Sequence, residues 1–143
     1  MKEYLDWEKC KQEMLAKRIN PDKDMAASLI ESARDRKATV ALLPLNETTK
    51  ETVISLHYDI LREILEALSI VNGYKIYNHE CYTYFLKKIL NDEESSQEFD
   101  SLRKLRNGIN YYGKHVILED AKQAIESCEN ILRKIEKILK ENM

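Results

Sequence analysis

The side chains that could bind an anion are concentrated in one segment, Phe99 to Val116, which reads FDSLRKLRNGINYYGKHV. Arg106 and Asn110 are four residues apart, so their side chains would be neighbours on one face of a helix. An arginine guanidinium binds a phosphate through two parallel hydrogen bonds, and a nearby amide can bond to a base or a ribose. A helix does not need such residues beside its apolar stripe. The segment therefore predicts a ligand or partner site along residues 106–112.

A simpler explanation is a solvated helix face, or a set of ion pairs with acidic residues of a preceding helix. On spacing alone this explanation is favoured, because charged residues on a helix surface are ordinary. The polar residues concerned are Arg103, Arg106, Asn107 and Asn110, and the candidate acidic partners are Glu63 and Glu66.

Composition favours one helical domain over residues 1–143. Three Gly and two Pro supply little material for a turn-rich β fold, and 34% of the residues are charged, as in helical bundles. The pattern predicts an all-α, antiparallel four- to five-helix bundle over residues 21–142. An extra N-terminal helix lies within residues 1–20, with Tyr4, Trp7, Met14 and Leu15 as its apolar contacts.

Apolar periodicity and capping residues predict the remaining helices. A second helix starts with Asn20 as N-cap and ends before Pro44. A third starts near Asn46 or Thr48, and its wide stripe over residues 53–71 predicts a central helix packed on two sides, ending at Asn72-Gly73. A short inserted helix is capped by Asn78. The segment that carries the arginines starts at Ser95 or Ser96 and ends at Gly113 in a left-handed conformation, and a long last helix covers residues 121–139.

Charge and cysteine usage exclude several classes of protein. The net charge of −2 argues against a general nucleic-acid coat. Cys10, Cys81 and Cys128 form no CxxC pair and are odd in number, so neither a disulfide framework nor a zinc ribbon is expected, and a reducing cytosol is the simplest location. No apolar run is long enough to span a membrane. We expect a cytoplasmic protein with no membrane contact.

The three histidines do not indicate a metal centre. None follows a Glu by three residues, as the di-metal sites of helical bundles require. His79 is interpreted as a polar residue at a helix start. No metal site and no cofactor are predicted.

The stretch LRKLRNGINYYG resembles the signature of HEPN domains (higher eukaryotes and prokaryotes nucleotide-binding), in which Arg is commonly followed by Asn and, a few residues later, by His. The preceding ILREILEALSIVNGYKIYNHECYTYFL is similar to the paired helices before the motif in many archaeal and bacterial members. The resemblance covers roughly residues 26–139. It implies a bundle that dimerises around the motif helix, here residues 99–116. Active members are metal-independent ribonucleases, and others bind partners such as minimal nucleotidyltransferases in toxin–antitoxin pairs.

This chain departs from the family motif at the histidine. Arg106 and Asn107 match the first two positions, but Tyr111 stands at the usual His position, followed by Tyr112 and Gly113. A phenol with a pKa of about 10 is a poor general base at neutral pH, whereas an imidazole has a pKa of about 6.5. Ribonuclease activity is therefore the family property least expected here.

Three hypotheses about function follow. The leading one is a non-catalytic or weakly active module that binds a nucleotide, an RNA or a partner protein through Arg103, Arg106, Asn107, Asn110 and Tyr112. The second is an endoribonuclease in which Arg106 acts with Tyr111 or His115. The third is a structural bundle whose polar motif only fixes the register of a dimer.

Overall fold

The computed structural model describes residues 4–143, which form six α-helices and one small antiparallel sheet. The elements in chain order are α1 (Trp7–Gln12), β1 (Ala16–Arg18), α2 (Lys23–Ala41), α3 (Lys50–Val71), β2 (Tyr74–Ile76), α4 (His79–Lys88), α5 (Glu93–Tyr112) and α6 (Leu118–Asn142). The predicted all-α class is confirmed at this level. No helix within residues 4–143 has the length and apolar character that crossing a membrane requires.

Helix α3 is the centre of the core. It contacts α2, α4, α5, α6 and β2, and both edges of its apolar stripe are buried, as the wide stripe predicted. Contacts between the helices give their directions. Arg34 of α2 lies near Ile64 of α3, and Val40 lies near His57, so α2 is antiparallel to α3. Asp59 pairs with Arg106 and Ser55 with Asn110, so α5 is also antiparallel to α3. The long helices thus alternate in direction along the chain.

The prediction of one N-terminal helix over residues 1–18 is wrong for the described part of that range; residues 1–3 lie outside it. Helix α1 ends at Gln12, and Met14 has a left-handed φ of 61°, which breaks the helical path. The chain then forms β1, whose Ala16 pairs with Ile76 of β2. Trp7 is buried as predicted, but Tyr4 and Met14 are exposed.

Three helix starts differ from the predicted ones. Asp22, not Asn20, caps α2 by accepting a hydrogen bond from the backbone of Met25. Asp92, not Ser95 or Ser96, caps α5, and both serines are buried in the first turn. Carboxylates compete well with hydroxyls and amides for this role, because a helix N-terminus favours negative charge. Helix α3 begins after Thr49, and Asn46 accepts hydrogen bonds from the backbone just before it.

The predicted helix ends are confirmed at two glycines. Gly73 follows α3 with φ +84°, and Gly113 follows α5 with φ +63°, both in the region that side chains with a Cβ rarely adopt. Asn78 caps α4 as predicted, accepting from the backbone N–H of Glu80. These caps fix where α4 begins and where α5 stops.

Cys10 and Cys81 form a disulfide, contrary to the expectation that the cysteines are unpaired. The pairing arises because α1 packs on α4 and buries both residues completely. The sequence separation of 71 residues hides this contact from any local motif. Cys128 is free, and its burial raises the pKa of its thiol to about 12, so it behaves as a small apolar residue.

Candidate functional site

A shallow cavity of about 300 Å³ opens between the start of α4 and the C-terminal half of α5. Four of the predicted site residues line it together, facing residues of α4 that were not predicted to be there. The lining residues are Asn78, His79, Glu80, Arg103, Arg106, Asn107 and Tyr111. We refer to this space as the α4–α5 cavity. Among residues 4–143, no three His, Cys, Asp or Glu side chains are grouped as potential metal ligands.

Arg106 is held mainly by aromatic rings and only weakly by hydrogen bonds. Its guanidinium carbon lies 5.5 Å from the centre of the Tyr58 ring and 5.9 Å from that of Tyr111. Its Nη2 is 3.5 Å from Oδ1 of Asp59, and its Nη1 is 3.5 Å from the Tyr111 hydroxyl, both at the limit for a hydrogen bond. Its Nε is buried without a partner. The position of the charge is therefore fixed, while most of its donors are free.

Glu63 and Glu66, predicted as acidic partners of Arg106, are the wrong residues. Asp59 lies one turn before Glu63 on α3, and of these three acids it is the one that forms an ion pair with α5. Glu63 faces α2, and Glu66 is bound by its own helix and by β2. Their partners are Ser32 and Arg36 for Glu63, and Arg62 and Lys75 for Glu66.

Arg103 is more completely paired than Arg106. Its Nη2 and Nε are 2.8 and 3.1 Å from Oδ1 of Asp100, and its Nη2 is 3.9 Å from Glu80. The pKa of Asp100 is lowered by Arg103 and Lys104, which outweigh the burial that would raise it. Arg103 thus contributes charge to the cavity but has fewer free donors.

Asn110, Tyr112 and His115 do not line the cavity. The Asn110 side chain accepts a hydrogen bond of 2.8 Å from the hydroxyl of Ser55. Tyr112, predicted as a ligand-binding residue, is 85% exposed at the end of α5. His115 is exposed beyond the end of α5 and lies 3.4 Å from Glu51.

His79 is the site residue that sequence reasoning missed. It is the first residue of α4, and its Nδ1 lies 3.2 Å from the Tyr58 hydroxyl. Its pKa is lowered, first by burial and then by the positive charges of Arg62 and Arg106. The Asn78 cap could have identified its position in the first turn. No pattern in the sequence indicates that this turn packs against α5.

The hydrogen bond between Tyr58 and His79 fixes how the imidazole can act. Burial raises the pKa of the Tyr58 phenol, so this hydroxyl keeps its proton. The hydroxyl has no other hydrogen-bond partner in the described residues, and a buried donor left unpaired is costly. Tyr58 therefore donates to Nδ1, and a neutral His79 carries its own proton on Nε2. In this form His79 offers a donor to the cavity.

Comparison with known proteins assigns no relative: no family model matches the chain, and a search of curated proteins finds no match.

Proposed function

We propose that this chain is a HEPN-like module that binds a nucleotide or an RNA, with a phosphate group of the ligand held in the α4–α5 cavity. The observation that carries the proposal is that Arg106 is largely buried but weakly paired. The Arg106 side chain is 15% exposed and its guanidinium lies against two rings, yet its contacts to neighbouring oxygens are long. A mostly buried charge is costly unless it is well paired. A phosphate supplies the missing acceptor oxygens.

The chemistry of the cavity suits one phosphate and the group next to it. Arg106 has free donors, Arg103 adds charge, and neutral His79 adds an N–H donor. Glu80 and Asp59 carry the opposing charges, so the ligand must compete with Asp59 for the guanidinium. This favours a single well-placed phosphate over a broad electrostatic surface, in agreement with the net charge of −2.

Two further side chains could recognise the nucleoside. Asn107 lines the cavity with an amide, which can donate to and accept from a base edge. The ring of Tyr111 is 69% exposed beside Arg106 and could stack on a base, a contact worth about 1–3 kcal/mol in single-stranded complexes. Tyr111 thereby has a binding role that does not need the chemistry of a histidine.

A binding experiment with a labelled oligouridylate of eight nucleotides tests this proposal. Fluorescence anisotropy should show that Arg106→Gln weakens binding by roughly 10- to 100-fold, the loss of one charge-assisted contact of about 1.5–3 kcal/mol. The matched control is Arg133→Gln, an exposed arginine of α6 that, within residues 4–143, hydrogen-bonds only to Asn130. Equal affinities for both variants would contradict a phosphate site at Arg106. Absence of binding by the wild type would leave the structural bundle as the better account.

The second candidate is a metal-independent endoribonuclease, and the imidazole of His79 on the cavity wall beside Arg106 favours it. His79 then takes the place that sequence reasoning gave to Tyr111 or His115. Incubation of total RNA without metal, comparing the wild type with Arg106→Ala and His79→Ala, separates the two candidates. Cleavage that depends on both residues would establish the enzyme, and intact RNA would favour the binding module.

A homodimer through residues 99–116 remains part of the proposal. Two tyrosines at the end of α5, Tyr111 and Tyr112, are exposed next to the cavity and could be covered by a second copy. Sedimentation equilibrium at micromolar concentration should give the dimer mass. A monomer would remove the dimer from the proposal. A nucleotidyltransferase partner and a cytoplasmic location stay predictions.

A further inference from the structure

His79 lies where charges of both signs from three helices meet. On its own helix Glu80 is adjacent, and the ring of Tyr82 lies 6.4 Å away. Helix α3 contributes Tyr58, Asp59 and Arg62, and α5 contributes Arg103 and Arg106. Cations outnumber anions among these groups.

The neutral imidazole is favoured by two independent features. The Tyr58 hydroxyl donates to Nδ1, which only a deprotonated Nδ1 can accept. The three arginines oppose a further positive charge, and Asp59 only partly offsets them. Protonation of Nδ1 would reverse the hydrogen bond to Tyr58 and add a fourth cation.

An anion in the cavity changes this balance. A phosphate held by Arg106 would bring negative charge close to an imidazole that lines the same space. The interaction of opposite charges at such distances favours the charged form of the ring. The phosphate must offset two local costs, the repulsion from the arginines and the loss of the acceptor of the Tyr58 hydroxyl, which then accepts from Nδ1 instead. The proton comes from solvent and is bound at Nδ1, without any other bond being made or broken.

We propose that ligand binding in the α4–α5 cavity is coupled to protonation of His79, so that the site binds phosphodiesters more tightly in weakly acidic than in weakly alkaline solution. This inference rests on the proposed function and adds to it a regulation by pH. By linkage, one coupled proton changes the affinity by at most about tenfold per pH unit. Between pH 7.5 and pH 5.5 we expect a rise of several-fold.

Titration calorimetry with the same oligouridylate measures the coupling directly. The phosphodiesters stay ionised and uracil stays neutral in this pH range. Because ordinary carboxylates titrate at about pH 4, histidine is the side chain whose protonation changes in this range. Measurements in two buffers with different ionisation enthalpies give the number of protons taken up on binding. The wild type should take up a fraction of one proton near pH 6.5, and its affinity should increase as the pH falls.

Three variants assign the proton. His79→Gln should bind with no proton uptake. His57→Gln, in the cleft between α2, α3 and α6, and His115→Gln, at the exposed end of α5, should keep the uptake of the wild type. Should His79→Gln prove unfolded, NMR titration of the imidazole signals in the wild type replaces it. The His79 signal should then titrate at higher pH in the complex than in the free protein.

The outcomes separate the inference from the function on which it rests. Binding that depends on Arg106 but not on pH, or proton uptake that persists in His79→Gln, would overturn the coupling and leave the binding site standing. No binding by the wild type at either pH would overturn both.

Discussion

Two arginine–carboxylate pairs involve acids one turn apart on α3, and the two pairs differ in their contacts and in their access to a cavity. On the α2 side, Glu63 is almost fully buried, with Oε2 at 2.9 Å from the Ser32 hydroxyl and Oε1 at 3.3 Å from Nε of Arg36. On the α5 side, Arg106 is 3.5 Å from Asp59 and has a buried Nε without a partner. Only the second pair opens on a cavity that a further cation also lines.

Under the proposed function, this difference separates a polar contact that joins two helices from a candidate site for a ligand. The Glu63 cluster joins two long helices: Oε2 accepts a hydrogen bond from Ser32, and Oε1, which accepts no hydrogen bond from the described residues, forms an ion pair with Arg36. The Arg106 pair leaves donors unused at a fixed position, which is what a site for an exchangeable anion requires. The type of residue is the same on both sides. The cavity beside Arg106 is what makes this pair the candidate for ligand binding.

Removal of the disulfide should have the largest effect on stability, and it should affect the α4–α5 cavity more than the Glu63 cluster. The α4 helix that carries His79 is tied to α1 by Cys10–Cys81, whereas the Glu63 cluster lies between long packed helices. By the chain-entropy model, opening a loop of this length costs about 4 kcal/mol. Urea unfolding of Cys10→Ala/Cys81→Ala should show this loss, and dithiothreitol should affect the wild type but not the variant.

Hydrogen exchange of the same variant locates the effect. Amides at the start of α4 should exchange much faster than in the wild type, while those around Glu63 should change only with the global stability. Cys128→Ala, which removes the buried free thiol, is the control that should keep its sensitivity to dithiothreitol. A uniform change in both regions would contradict the separate support of the cavity.

Neutralising the acid on each side should give opposite results. Glu63→Gln should lower the free energy of unfolding by about 1–2 kcal/mol, because it weakens a buried hydrogen-bonded group whose partner Arg36 is itself partly solvated. Affinity for the oligouridylate should not change. Asp59→Asn should cost less than about 1 kcal/mol, since its contact with Arg106 is long, and it should raise the affinity by removing the competing carboxylate.

Urea unfolding and fluorescence anisotropy on the same two preparations give all four values. Weaker binding by Asp59→Asn would mean that Asp59 positions Arg106 for the ligand. Asp59 would then support ligand binding and would not compete with the ligand for Arg106.

Gly108→Ala should have the smallest effect, a stabilisation of about 0.5–1 kcal/mol, because glycine is costly inside a helix. A methyl group there would meet Cδ of Lys114 at 3.2 Å, and this flexible side chain can move aside. Thermal unfolding and the anisotropy assay should give a more stable protein of unchanged affinity. A clear loss of affinity would indicate that binding requires α5 to deform near the cavity.

Local signals in the sequence were sufficient for most helices. Apolar periodicity identified α3 and α6. Capping preferences identified Gly73 after α3, Asn78 at the start of α4 and Gly113 at the end of α5. The strands β1 and β2 were missed because three residues are too few to show a period of two. The aspartates that cap α2 and α5 were missed because several polar residues near each start could have served.

The site was predictable only in part, because its composition depends on how helices align. The arginines of α5 were identified from their types and spacing. That Asp59 rather than Glu63 faces Arg106 depends on the register of α5 along α3, and that His79 joins them depends on how α4 packs. The pairing of Cys10 with Cys81 is likewise a tertiary contact.

Mapping of chemical-shift changes by NMR tests the central claim most directly. Titration of the wild type with the oligouridylate should shift the backbone amides of residues 78–80 and 103–111, around the α4–α5 cavity. The amides of Ser32, Arg36 and Glu63 should stay unchanged. Changes centred on the Glu63 side of α3, or none up to millimolar ligand, would contradict the account.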